Sequence, residues 1–286
     1  MKAIRRAALL SVVAIAWIVG SAALPAAREQ AAAARPVLTP EQMEDFLLHA
    51  KVIKTKAASK GITDSKRATL SDGRITHDAQ IQTVNVSKIQ TQGNRGNVEL
   101  NFKDSYRFNI AGYRLARLLG LDNVPMSVER NVEGSPAAVT WWVDDVLMDE
   151  NARWKGKKQN TGPDPTRTAE QTHIMRVFDE LIENTDRNGG NLLWTTDWKM
   201  WMIDHTLAFR VDDKLYKPQL LERCERSLLE KMRGLTAETL TRELGDSLDK
   251  PRIEALLARR DAIVKRFDGL IAKRGEGAIL YTLKQH

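Results

Sequence analysis

At 286 residues, with 42% apolar content and a single cysteine, the chain is long enough for one two-lobed domain or two small ones, and it excludes both a disulfide framework and a cysteine-based metal site. Its formal net charge of +7 falls to +4 once residues 1–34 are set aside, a surplus too modest to call for a nucleic-acid partner. No internal repeat or long low-complexity tract argues against a packed core.

The chain opens as an export signal. Lys2, Arg5 and Arg6 precede an uncharged apolar run from Ala7 to Leu24, and small residues follow through Ala34. Ser21-Ala22-Ala23 fits the small-x-small cleavage rule, while an uncleaved run of 18 residues would be long enough to anchor the chain in a membrane. Either outcome places residues 36–286 outside the cytoplasm, periplasmic or secreted.

Thr39-Pro40-Glu41-Gln42 is a capping box with proline at the first helical position, so a short helix to about Ala50 is expected. Residues 51–70 lack helical period and carry Lys54, Lys56, Lys60 and Gly61. They fit strands joined by a glycine-containing turn, or a loop covering phosphate. Ser71-Asp72-Gly73-Arg74 predicts a turn, and the alternation of Ile75, His77, Ala79, Ile81 and Thr83 predicts a strand. Ser105 to Leu119 reads as an amphipathic helix through Phe108, Ala111, Leu115 and Leu118. Two further strands are expected over 126–132 and 137–143, then an exposed polar stretch from Glu150 to Arg167. Trp141-Trp142 either lines a pocket or packs in the core.

Thr168 to Asn184 carries Ile174, Val177, Phe178, Leu181 and Ile182 on one helical face, and Gly189-Gly190 then ends any helix. Leu192-Leu193-Trp194 and Trp198 to Ile203 read as the arms of a hairpin around Thr195-Thr196-Asp197. From about Gln219 to Arg274 the chain is helical. Cys224 is expected in the core, and Arg259-Arg260-Asp261 is expected to form surface ion pairs.

One stretch carries chemistry. Asp186-Arg-Asn-Gly-Gly-Asn191 places an asparagine five residues after an aspartate, and Asp204 closes the hairpin that follows. Such a hairpin brings Asn191 and Asp204 to one end, two hard oxygen donors of the kind that hold Mg2+ or Mn2+ on a nucleotide. The residues FDELIENTDRNGGNLLW and WMIDHTLAF resemble the catalytic core of the phosphatidylinositol 3-/4-kinase-like, HipA-like and secretory-pathway kinases related to the Golgi casein kinase.

That resemblance implies an α+β, bilobal protein-kinase-like fold, with a strand-rich small lobe over residues 36–145 and a mainly helical large lobe over 146–286. It implies ATP and a divalent cation as cofactors, Asp186 as catalytic base, and Asn191 and Asp204 as metal ligands. Gln82 and Asn109 stand at the cofactor-binding positions where kinases pair a lysine with a glutamate, so the cation there falls to Lys54, Lys56 or Lys103. His205-Thr206 replaces the usual Phe-Gly. The expected function is phosphoryl transfer to a hydroxyl-bearing acceptor: a protein, a lipid head group or a small molecule. The alternatives are a catalytically dead pseudokinase serving as a scaffold, or transfer of AMP by the same fold.

Overall fold

Helix α1 (Pro40–His49) starts where its capping box dictates. The Thr39 amide donates to Gln42 Oε1 at 2.9 Å, and the Gln42 amide donates to Thr39 Oγ1 at 3.3 Å. The computed structural model describes residues 38–57, 65–92, 98–156 and 162–283. The export signal expected over 1–34 and the Lys60-Gly61 turn therefore lie outside the described residues. Among the described residues, no helix is long and apolar enough to cross a membrane.

Strands β1 (Lys51–Ala57), β2 (Ser65–Ser71) and β3 (Thr76–Gln82) form an antiparallel run, turned between β2 and β3 by Asp72 and Gly73. Gly73 has φ +88°, a conformation that glycine adopts without a Cβ penalty. Next come β4 (Asn85–Gln92) and β5 (Val98–Ser105), which pair only with each other as a two-stranded ribbon, and then α2 (Arg107–Leu118). Strands β6 (Ser127–Val132) and β7 (Ser135–Trp141) complete a five-stranded sheet in the order β1-β2-β3-β7-β6. One face, carrying Ala68, Leu70, Ala79, Ile81 and Val139, packs under Phe46 and Leu47 of α1. On the other, Ala138 meets Tyr106 and Ile110 of the α2 region.

Strand β8 (Val146–Asp149) leads into α3 (Glu150–Lys155), so the first turns of the polar stretch are helical rather than loop. The local cause is Asp149, which caps the helix by accepting from the Ala152 amide at 2.7 Å. Glu150 then accepts from the buried Trp194 indole at 2.6 Å and fixes α3 on the large lobe. Helix α4 (Pro165–Ile182) and the hairpin β9 (Leu192–Thr195) and β10 (Met200–Met202) follow, with β8 the third strand of that sheet. Strand β11 (Cys224–Glu225), α5 (Arg226–Arg233), α6 (Ala237–Leu244), α7 (Lys250–Arg274), α8 (Glu276–Ile279) and β12 (Leu280–Tyr281) complete the chain.

The large-lobe core joins Phe178 and Leu181 of α4, Trp194, Met200 and Met202 of the hairpin, Phe209, and Leu256, Ile263 and Phe267 of α7. It continues into Phe108, Ala111 and Leu115 of α2, so that helix belongs to both lobes. Cys224 is fully buried, and that environment pushes its thiol well above the usual range, which suits a packing residue.

The expectation for Arg259 is overturned. Its side chain is fully buried and donates to the Leu181 carbonyl at 2.9 Å, the Glu183 carboxylate at 3.3 Å and the Arg210 carbonyl at 3.1 Å, and also to the Asp212 carbonyl. It ties the end of α4 to the chain after Asp204 instead of decorating the surface.

Candidate functional site

Two backbone devices place the residues of the candidate site. Glu183 ends α4 in the left-handed region at φ 49°, and the loop then runs through Asp186 to a tight turn at Gly189–Asn191. A Cβ on Gly189 would lie 2.5 Å from Asn151 Oδ1 and 3.0 Å from the Asn151 amide nitrogen, so only glycine lets this turn rest against α3. The hairpin register pairs Leu192 with Met202, and the Ile203 amide donates to the Asn191 carbonyl at 3.1 Å. Asn191 and Asp204 therefore flank the same open end of the hairpin. Asp204 has φ 57°, a strained conformation for a residue with a side chain that costs roughly 1–2 kcal/mol.

Arg187 holds this end together. Its guanidinium forks onto Asp179 at 2.9 Å, and donates to the Asn191 carbonyl at 3.0 Å and the Ile203 carbonyl at 2.7 Å. It also meets His205 Nε2 at 3.2 Å. An arginine can only donate, so His205 must present its lone pair there and remain neutral. Burial, with the Arg187 cation beside it, holds the His205 imidazole well below its usual range. Burial also raises the Asp179 carboxyl, while the Arg187 fork opposes the rise. Arg187 was absent from the sequence expectations, since nothing in its spacing separates it from an ordinary loop arginine.

Three carboxylates act on one another at the edge of this frame. Asp186 is exposed on its loop. Asp104, at the end of β5, is pushed above the usual carboxylate range first by burial and then by the negative charge of Asp186; Thr206 and Arg210 oppose the shift. Asp204 is pushed the same way by burial and by Asp104, against hydrogen bonds from Thr206 and the charge of Arg187. The Thr206 hydroxyl donates to Asp204 Oδ1 at 3.3 Å. Asp104 Oδ1 is fully buried and has no hydrogen-bond partner among the described residues. Asp104 was not anticipated, because it meets Asp186 and Asp204 only through the tertiary fold.

The opposite wall is polar and neutral. The Asn109 amide donates to Gln82 Oε1 at 2.7 Å, and Asn109 Oδ1 accepts from the His205 amide at 2.7 Å. Both Gln82 and Asn109 are buried. The His205 ring lies against Gly112 of α2, where a Cβ would come within 3.2 Å of it, and meets Phe178 edge-on. Lys54 and Lys56 are exposed on β1, on the sheet face shared by Gln80 and Gln82. Lys56 stands two strands and two residues from Gln82, roughly 12 Å between Cα atoms. Trp141 packs against the small-lobe core, whereas Trp142 carries the Arg67 guanidinium 4.3 Å over its ring.

The donor set suits a hard divalent cation, since Asp204, Asn191 and the orphaned Asp104 oxygen are all oxygen donors. Among the described residues, no three His, Cys, Asp or Glu side chains form a ready cage. A cation here must draw further ligands from elsewhere, as Mg2+ does when one or two carboxylates share it with phosphate oxygens.

No protein-family model matches the chain. Over 41 residues it is 46% identical to Protein Rv2133c of Mycobacterium tuberculosis, a match covering 14% of this chain and 15% of that protein's length. Among solved structures, hydra Fam20 with sugar superposes with a TM-score of 0.64 at 14% identity, over 85% of this chain and 92% of that one. The Helicobacter pylori proinflammatory kinase CtkA gives a TM-score of 0.49 at 10% identity, over 80% of this chain and 97% of that one. At such identity the Fam20 likeness speaks for architecture alone. In fold, this chain is a kinase-like protein with a strand-rich small lobe and a mainly helical large lobe.

Proposed function

We propose that this chain transfers the γ-phosphoryl group of ATP to a hydroxyl acceptor, assisted by Mg2+ or Mn2+. One observation carries the reading: Asn191 and Asp204 flank one end of the hairpin, while Asp104 feels Asp186 on one side and acts on Asp204 on the other, all within a kinase-like fold. Asp186, exposed and unencumbered by burial, aligns the acceptor hydroxyl and takes its proton. Asn191 and Asp204 would hold the cation, which when bound offsets charge on the phosphate oxygens. Arg187 keeps those two ligands in register. Lys54 and Lys56 add positive charge at the rim of the small-lobe sheet and draw the nucleotide in.

The acceptor is a protein, a lipid head group or a small molecule, met outside the cytoplasm if the N-terminal run acts as an export signal or anchor. A second reading, a scaffold without catalysis, has its own support in the buried Gln82–Asn109 pair, which puts no charge where kinases offer a lysine.

A thermal-shift titration with ATP and Mg2+ or Mn2+ separates the two. Nucleotide at ~100 times its dissociation constant should stabilise the native chain by about 2.7 kcal/mol, and Asp204→Ala should abolish the shift. No shift with any metal and nucleotide removes the phosphotransfer reading and leaves the scaffold. Mass spectrometry of incubated acceptors then distinguishes a phosphoryl from an adenylyl adduct.

A further inference from the structure

At the turn end of the β9–β10 hairpin, opposite the open end flanked by Asn191 and Asp204, the chain holds a pocket of about 360 Å3. Its walls come from the connection between α2 and β6, the first turns of α4, the hairpin turn and the start of α5. That volume suits a small molecule. Two polar groups in the wall distinguish it from a packing gap. Asn123 is only 6% exposed, and its carbonyl accepts from the Met202 amide at 2.8 Å. Its side-chain Oδ1 nonetheless has no hydrogen-bond partner among the described residues. Arg167 Nε is likewise buried without a partner there, and Nη1 reaches the Asp197 carbonyl only at 3.4 Å. Such atoms cost free energy unless a partner of opposite character meets them. The charges around them are already engaged. Asp122 pairs with Lys199 at 2.9 Å, and Asp197 accepts from the Thr195 hydroxyl at 2.5 Å. Glu225 caps α5 by accepting from the Leu228 amide at 2.7 Å.

We infer that this pocket binds a small amino acid or hydroxy acid, its carboxylate on the Arg167 guanidinium and its amine or hydroxyl on the Asn123 side chain. A guanidinium fork matches the two oxygens of a carboxylate. An asparagine oxygen accepts equally from an ammonium or a hydroxyl. The wall also carries Asp122, Asp197 and Glu225, whose negative charge disfavours a phosphate dianion and narrows the ligand to a single carboxylate. The inference stands apart from phosphotransfer and needs neither nucleotide nor metal.

Isothermal calorimetry on the full chain, with L-alanine, L-lactate, propionate and inorganic phosphate as separate probes, tests this. Alanine and lactate differ in carrying an amine or a hydroxyl, so whichever binds more tightly identifies the donor. Propionate, which lacks both, should bind about tenfold or more weakly than the better of the two. Arg167→Gln and Asn123→Leu should each weaken that better probe by about tenfold or more. Without any probe, Asn123→Leu should melt no lower than the native chain, because it removes an unmet buried polar atom. Should either variant melt well below the native chain, Arg167→Lys replaces it: the charge stays, the fork is lost, and binding should still weaken. No heat with alanine or lactate, tighter binding of phosphate, or affinities unmoved by the substitutions would overturn the inference. The proposed function would stand in each of those cases.

Discussion

The two sides of the candidate site solve the same problem of burying polar groups by opposite means. On the small-lobe side, Gln82 and Asn109 satisfy each other with a short neutral hydrogen bond and pass one acceptor on to the His205 amide. On the large-lobe side, Asp179, Glu183 and Asp204 are met by Arg187, Arg259 and the Thr206 donors. A neutral pair loses a modest amount when one partner goes. A buried charge stripped of its partner loses far more. The contrast teaches that the large-lobe wall holds its charge in place by arginine, whereas the small-lobe wall is built to stay uncharged.

The largest break in that contrast should come from Arg259→Ala. It removes the buried cation beside the Glu183 carboxylate together with the donor to the carbonyls of Leu181, Arg210 and Asp212, so a loss of about 3–5 kcal/mol is expected in urea denaturation. A loss below about 1 kcal/mol would mean that another group carries that charge. On the neutral wall, Asn109→Leu should cost about 1–3 kcal/mol, since Asn109 serves both Gln82 and the His205 amide. A negligible loss would show that these two hydrogen bonds contribute nothing net.

The smallest expected effect is a pH dependence. Asp204 keeps its proton to higher pH in the fold than in the unfolded chain, whose carboxyl titrates near 3.8. Between that value and the raised native one, the folded state binds more protons, so stability falls as pH rises through the window. In chelator, Asp204→Asn should therefore melt above the native chain at neutral pH, and the difference should shrink toward pH 4. If the variant melts lower at every pH, the Thr206 hydrogen bonds outweigh the burial of charge.

Local signals made most of the fold legible. The Thr39 capping box, the α4 stripe from Ile174 to Ile182 and the β9–β10 hairpin each depend on residues a few positions apart. The β4–β5 ribbon escaped because β4 is exposed almost throughout and so has no buried face to impose an alternation of apolar residues. Arg259 escaped because a charged side chain in a helix is ordinarily solvated, and only the completed fold shows four acceptors around it. At the candidate site, the meeting of Asn191 and Asp204 at one hairpin end was readable from spacing, and the Gln82–Asn109 contact from strand parity and helical period. Asp104 lies a hundred positions from Asp204, so no local pattern could announce their meeting.

The buried His205 ring has a consequence for the mobility of the segment after Asp204. Swinging that ring outward would strip an acceptor from Arg187 and empty the space against Gly112. A phenylalanine has no ring hydrogen bond to lose, whereas this imidazole is bonded to Arg187 and packed against Gly112 and Phe178. The segment after Asp204 should therefore keep one conformation in solution, its ring seated between Arg187 and α2.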